Sequence, residues 1–184
     1  MIVDENFYQT GAGQIVAGAH RYISAAKELR YSKTWEERPT FLQTPTLNLL
    51  AHGIELLLKY PLIAGGMTTG EVKQAFGHSL MKLWRQEANA TMRQLVLDEA
   101  VTAWNVARAS NKWPHDDFDK LPADEIVAAL EKLANLHSGK SGFALRYIVP
   151  PDIVAPRPAF LIDVFGYVAE RSTMDGNFPL SPGS

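Results

Sequence analysis

The chain contains no cysteine. Disulfides, thiolate catalysis, zinc fingers and iron–sulfur clusters are excluded by that absence alone. Net charge is almost missing too, with 18 basic residues set against 20 acidic ones across 184 positions. No overall attraction to nucleic acid or to an anionic membrane follows, although a local basic patch is compatible with these totals. The first ten residues, MIVDENFYQT, are acidic and lack the basic and apolar regions of a secretory signal. The most apolar stretch, LLAHGIELLLKYPLIAGG from Leu49 to Gly66, is broken by Glu55 and Lys59. It falls short of the roughly 20 apolar residues a membrane span needs. These features predict a cytoplasmic protein with no membrane partner and no cofactor. They predict one domain over residues 1–174 and a turn-rich tail over 175–184, on a composition 46% hydrophobic, enough for a core.

What is present is helical periodicity. Ile15, Ala19, Tyr22, Ile23, Ala26 and Leu29 recur at steps of three and four, predicting a first helix over about Phe7–Leu29. YSKTWEERPT reads as a polar connector, in which Pro39 biases Arg38 away from helical angles. A second helix is expected over Pro45–Ala64, with Leu47, Leu50, Ile54, Leu57, Leu58 and Leu62 as a wide apolar stripe. Gly65 or Gly66 would stop it. TTGEVKQAF reads as a short helical turn. GHSLMKLWRQEA opens a further helix with Leu80, Leu83 and Trp84 inward, and a long helix covers about Thr91–Ala109. Pro122 suits the first turn of the next helix, lined by Ile126, Ala129, Leu130 and Leu133. SGKSGFALRYIVPPD looks extended, and a last helix spans about Ala159–Arg171. The class expected is all-α: a bundle of five or six helices with one extended loop before the last.

The apolar second helix raises a chemical question. His52, Glu55 and Lys59 stand three and four residues apart, so they share one side of it. Ile54, Leu57 and Leu58 flank them and leave little of the circumference for water. A carboxylate there needs donors, and His78 and Arg146 are the candidates from elsewhere in the chain.

Three segments follow one another in an order that resembles HEPN-like proteins. The first is an alanine-bearing helix with a Glu-Leu-x-Leu-Lys core (Ala51, Glu55, Leu56, Leu58, Lys59). The second is a Gly-His-Ser-Leu helix start (Gly77, His78, Ser79, Leu80), and the third a late Arg-Tyr pair (Arg146, Tyr147). The likeness covers about Pro45 to Pro150. It implies a HEPN-like helical bundle that dimerises through its helices. It also implies nucleotide or RNA handling, commonly in bacterial defence or toxin–antitoxin settings. Glu55, Lys59, His78, Arg146 and Tyr147 would then form a polar or ligand-binding centre.

Active ribonucleases of that family carry an arginine, four to six residues, then a histidine, with two copies meeting at a dimer interface. Such a His moves a proton and such an Arg stabilises charge on phosphorus. Here only Arg108 and His115 match, separated by ASNKWP. Pro114 disfavours one continuous helical face across that spacer, and Ala109 stands where the family usually has a polar residue. The sequence therefore favours a non-catalytic HEPN-like binding module, homodimeric, with RNA, a nucleotide or another protein as partner. A metal-independent endoribonuclease using Arg108 and His115 is one alternative, and a purely structural homodimer the other.

Two lesser signals remain. His115, Asp116, Asp117 and Asp119 would offer oxygen ligands to a divalent cation, but the spacing fits neither an EF-hand nor a zinc site, and no metal is expected. Lys140 in GKSG would approach a phosphate while Tyr147 stacked on a base. Trp35, Trp84, Trp104 and Trp113 read as core or interface residues.

Overall fold

The computed structural model describes residues 6–113, 119–138, 145 and 155–174. Eight α-helices and no strand occur among these residues: α1 (Gly11–Arg30), α2 (Lys33–Glu37), α3 (Pro39–Ala64), α4 (Thr69–Phe76), α5 (Leu80–Trp84), α6 (Ala90–Ser110), α7 (Pro122–His137) and α8 (Pro158–Met174). Short 3₁₀ turns at Phe7–Gln9 and Glu87–Asn89 precede α1 and α6. The all-α expectation is met, with six helices of seven residues or more.

The expected first helix divides at its N-terminal end. Thr10 adopts extended angles, and its hydroxyl caps α1 by accepting from the Gly13 N–H at 3.0 Å. The segment YSKTWEERPT, expected as a connector, is largely helical. Ser32 caps α2 through the Trp35 N–H, and the Arg30 guanidinium lies 4.9 Å from the centre of the Trp35 ring. Arg38 departs from helical angles as expected (φ −146°, ψ 70°), but α3 starts immediately after it, at Pro39 rather than Pro45. Pro39 at the first position needs no N–H partner, which permits that early start. The helix expected from GHSLMKLWRQEA is only five residues long and gives way to the second 3₁₀ turn. Leu145 alone of the expected extended run is described; it is buried, and its N–H donates to the Leu136 carbonyl at 3.4 Å. The tail at 175–184 lies outside the described residues.

α3 runs through the centre and touches α1, α2, α4, α5, α7 and α8. All six residues of its predicted stripe are buried. α3 is also long and apolar enough to cross a membrane by length and composition, and 61% of its most apolar window is buried inside this fold. α1 and α3 approach closely at Gly53. A Cβ there would meet Ile23 Cγ1 at 2.6 Å and the Ala19 carbonyl oxygen at 3.1 Å, so only glycine lets the two backbones come this near.

Two devices hold the α4–α5 segment against α3. Gly77 takes φ +54° and ψ −118°, which turns the chain sharply just ahead of His78. Asn89, fully buried, donates from Nδ2 to the carbonyls of Leu58 on α3 and Leu83 on α5, both at 2.9 Å. A second cluster packs Trp104, Trp113 and Phe160 edge-on, with ring centres 5.2–6.0 Å apart, between α6 and α8.

Candidate functional site

Glu55 sits on the buried face of α3 with 1% of its surface exposed. Three other side chains converge on its carboxylate. Lys59, one turn along the same helix, donates from Nζ to Oε1 at 2.6 Å. His78, from the turn ahead of α5, places Nδ1 3.1 Å from Oε2 and 3.2 Å from Oε1. His137, the last residue of α7, places Nε2 2.9 Å from Oε2. The centre thus ties together α3, the α4–α5 turn and the end of α7.

Burial by itself pushes the Glu55 carboxyl upward. The hydrogen bonds from His137 and Lys59, the Lys59 charge and the His78 bond outweigh it and hold the carboxyl down at about 2. Glu55 is therefore ionised near neutrality and can only accept. Each facing ring nitrogen must then carry a proton, which fixes Nδ1–H on His78 and Nε2–H on His137. The other nitrogen of His137 is anomalous. The residue is 2% exposed, and its Nδ1 is buried with no hydrogen-bond partner among the described residues.

His137 also lines a cavity of about 210 Å³ with Tyr22, Asn48, Leu49 and His52. Tyr22 and His52 meet edge-to-face with ring centres 4.4 Å apart. Burial lowers the His52 pKa against the opposing pull of Glu55, and the neighbouring His137, Lys59 and His78 lower it further. His52 shares a helix with Glu55 but packs on Tyr22 rather than on the carboxylate. A larger cavity of about 310 Å³ between α1, α6 and α8 mixes Lys27 and Lys112 with Glu99, Asp163 and Glu170, and Lys112 is already paired with Asp163 at 2.5 Å.

Of the residues singled out from sequence, the structure brings together Glu55, Lys59 and His78. Ser79 sits at the start of α5 but makes no side-chain cap. Arg146, Tyr147 and Lys140 lie outside the described residues, as do His115, Asp116 and Asp117. Arg108 is exposed on the last turn of α6 and contributes nothing to the Glu55 centre. His137 is absent from the sequence reading. Its signal is register: it continues the buried stripe Ile126, Ala129, Leu130, Leu133 and Leu136 of α7, and an imidazole on an apolar stripe calls for a buried partner.

Comparison with protein-family models, with curated proteins and with solved structures found no match to this chain. The findings define an all-α helical protein with a buried carboxylate–imidazole centre beside a small cavity.

Proposed function

We propose that the protein is a non-catalytic, HEPN-like binding module of the cytoplasm whose cavity takes one nucleobase of an RNA or a nucleotide. The observation carrying this reading is the lining of the cavity beside Glu55 by a phenol ring, an amide and two imidazoles. At about 210 Å³ it is smaller than the roughly 300–1,000 Å³ of sites that enclose drug-sized ligands. It suits a single heterocycle, with sugar and phosphate left at the mouth.

Each lining group has a task in that role. Tyr22, 38% exposed, offers a face for stacking. Asn48 offers both a donor and an acceptor to a base edge. His137 adds a second imidazole to the lining, its ring held in place by the bond from Nε2 to Glu55. Glu55 and Lys59 act indirectly, by fixing the His137 ring. Assembly as a homodimer is part of the proposal and rests on the resemblance alone.

The test is a gel-shift titration of single-stranded RNA at low salt, with dialysis against a mononucleotide beside it. Wild-type protein is expected to retain intact RNA, and Tyr22→Ala to bind about tenfold or more weakly, as loss of a stacking platform worth roughly 1–3 kcal/mol requires. RNA cleavage that disappears with Arg108→Ala would establish the ribonuclease instead. No retention of RNA or nucleotide would leave a structural or protein-binding role.

A further inference from the structure

We infer that Glu55, His78 and His137 form a binding site for one divalent cation of the zinc class. This departs from the expectation of no metal, which rested on spacings along the chain; the three ligand atoms come from three separate elements. The site shares His137 with the proposed nucleobase cavity, but Glu55 and His78 do not line that cavity.

The geometry begins with what Lys59 leaves free. A carboxylate buried in α3 needs one counter-charge, and Lys59 supplies it from the next turn, on Oε1. Two imidazoles converge in addition on Oε2, at 3.1 and 2.9 Å. One ligand atom from each of Glu55, His78 and His137 lies within 4.8 Å of the other two. An ion with bonds of about 2.0–2.1 Å to tetrahedral ligands sets them about 3.3–3.4 Å apart. The carboxylate-to-imidazole distances therefore need to open by only a few tenths of an ångström.

The donor set of two imidazoles and one carboxylate suits zinc and its first-row neighbours, not calcium or magnesium, which prefer all-oxygen shells. Three protein ligands leave a fourth position, and the His78 side chain, 51% exposed, stands on the side through which an ion and a water would enter. The surroundings also match. Lys59 on Oε1 is a hydrogen-bonded support for a ligating carboxylate, a role usual just outside a metal's ligands.

Binding changes tautomers without net proton release from neutral rings. The ion replaces the proton on His78 Nδ1 and that on His137 Nε2, and each ring carries its proton on the other nitrogen. For His78 that nitrogen belongs to a half-exposed ring. For His137 it is Nδ1, the buried atom with no hydrogen-bond partner among the described residues.

The experiment uses the full chain without added histidines, stripped with a chelator. It is titrated with Zn²⁺ by calorimetry and with Co²⁺ by visible absorption. One ion per chain is expected, with the intense visible bands of four-coordinate cobalt. His78→Ala removes a half-exposed ring, so circular dichroism should keep its helical signal while zinc affinity falls about 100-fold or more and the cobalt bands vanish. His20→Ala should change neither. Absence of stoichiometric binding overturns the inference, as does binding that survives His78→Ala or is lost equally with His20→Ala. Loss of RNA binding in Tyr22→Ala with zinc binding intact would separate this site from the nucleobase pocket.

Discussion

Glu55→Gln tests the electrostatic account of the central helix most directly. The amide keeps the shape of the side chain and mimics a carboxyl that has taken up its proton. The cost of the substitution is therefore close to the cost of protonating Glu55 in the folded protein. That carboxyl titrates at about 2 when folded, against an ordinary 4.5. At 1.36 kcal/mol for each tenfold step the gap corresponds to about 3 kcal/mol. This is a large part of a typical roughly 5–15 kcal/mol stability, and it agrees with the roughly 3–5 kcal/mol lost when one partner of a buried pair is removed. The sign sets the pH dependence. Because the folded value is the lower one, the stabilisation is fully present above about pH 4.5 and is lost as pH falls toward about 2. The amide of the variant does not titrate, so the wild type should lose its advantage over that range. Urea unfolding in the presence of a chelator, at several pH values from about 7 to 3, reads both quantities. A difference under about 1 kcal/mol near pH 7, or one that stays constant down to about pH 3, would refute the reasoning.

Two further substitutions test the packing that positions the site. Gly53→Ala gains helix propensity worth up to about 1 kcal/mol but drives a methyl into Ile23 and the α1 backbone; a net loss of about 1–2 kcal/mol is expected in chemical denaturation, and a stabilised variant would show that the α1–α3 contact yields easily. Asn89→Ala removes both hydrogen bonds that tie α5 to α3 and should cost about 2–4 kcal/mol, with faster amide exchange in α5; an unchanged exchange pattern would mean that Asn89 does not hold the segment carrying His78.

Helix positions are legible where burial and periodicity agree. The stripes of α3 and α7 can be read directly from the sequence because both helices lie against several others, and an apolar residue every three or four positions has no other use. The start of α3 is harder to place because a proline at position 39 looks like an interruption in a linear reading, whereas at a first turn it is a favourable beginning. α2 is hidden for a related reason: five residues are too few to show a period, and Ser32 is the main marker of its start. At the site, the Glu55–Lys59 pair and the reach of His78 toward Glu55 follow from spacing and from the need of a buried carboxylate for donors. His137 does not follow, since its partner lies 82 residues away and a histidine ending a helix is equally suited to meet the helix dipole.

The three partners of Glu55 differ in how far the chain must close to bring them in. Lys59 is four residues away, His78 is 23 and His137 is 82. Loop closure becomes more costly with length, so the lysine contact forms with the helix itself and the histidine contacts wait for tertiary docking. A charge that would resist entering the core is thus neutralised while it is still in water. The helix can collapse against its neighbours as a nearly neutral rod, and the imidazoles then select the arrangement of α5 and α7 in which both of them reach the same oxygen.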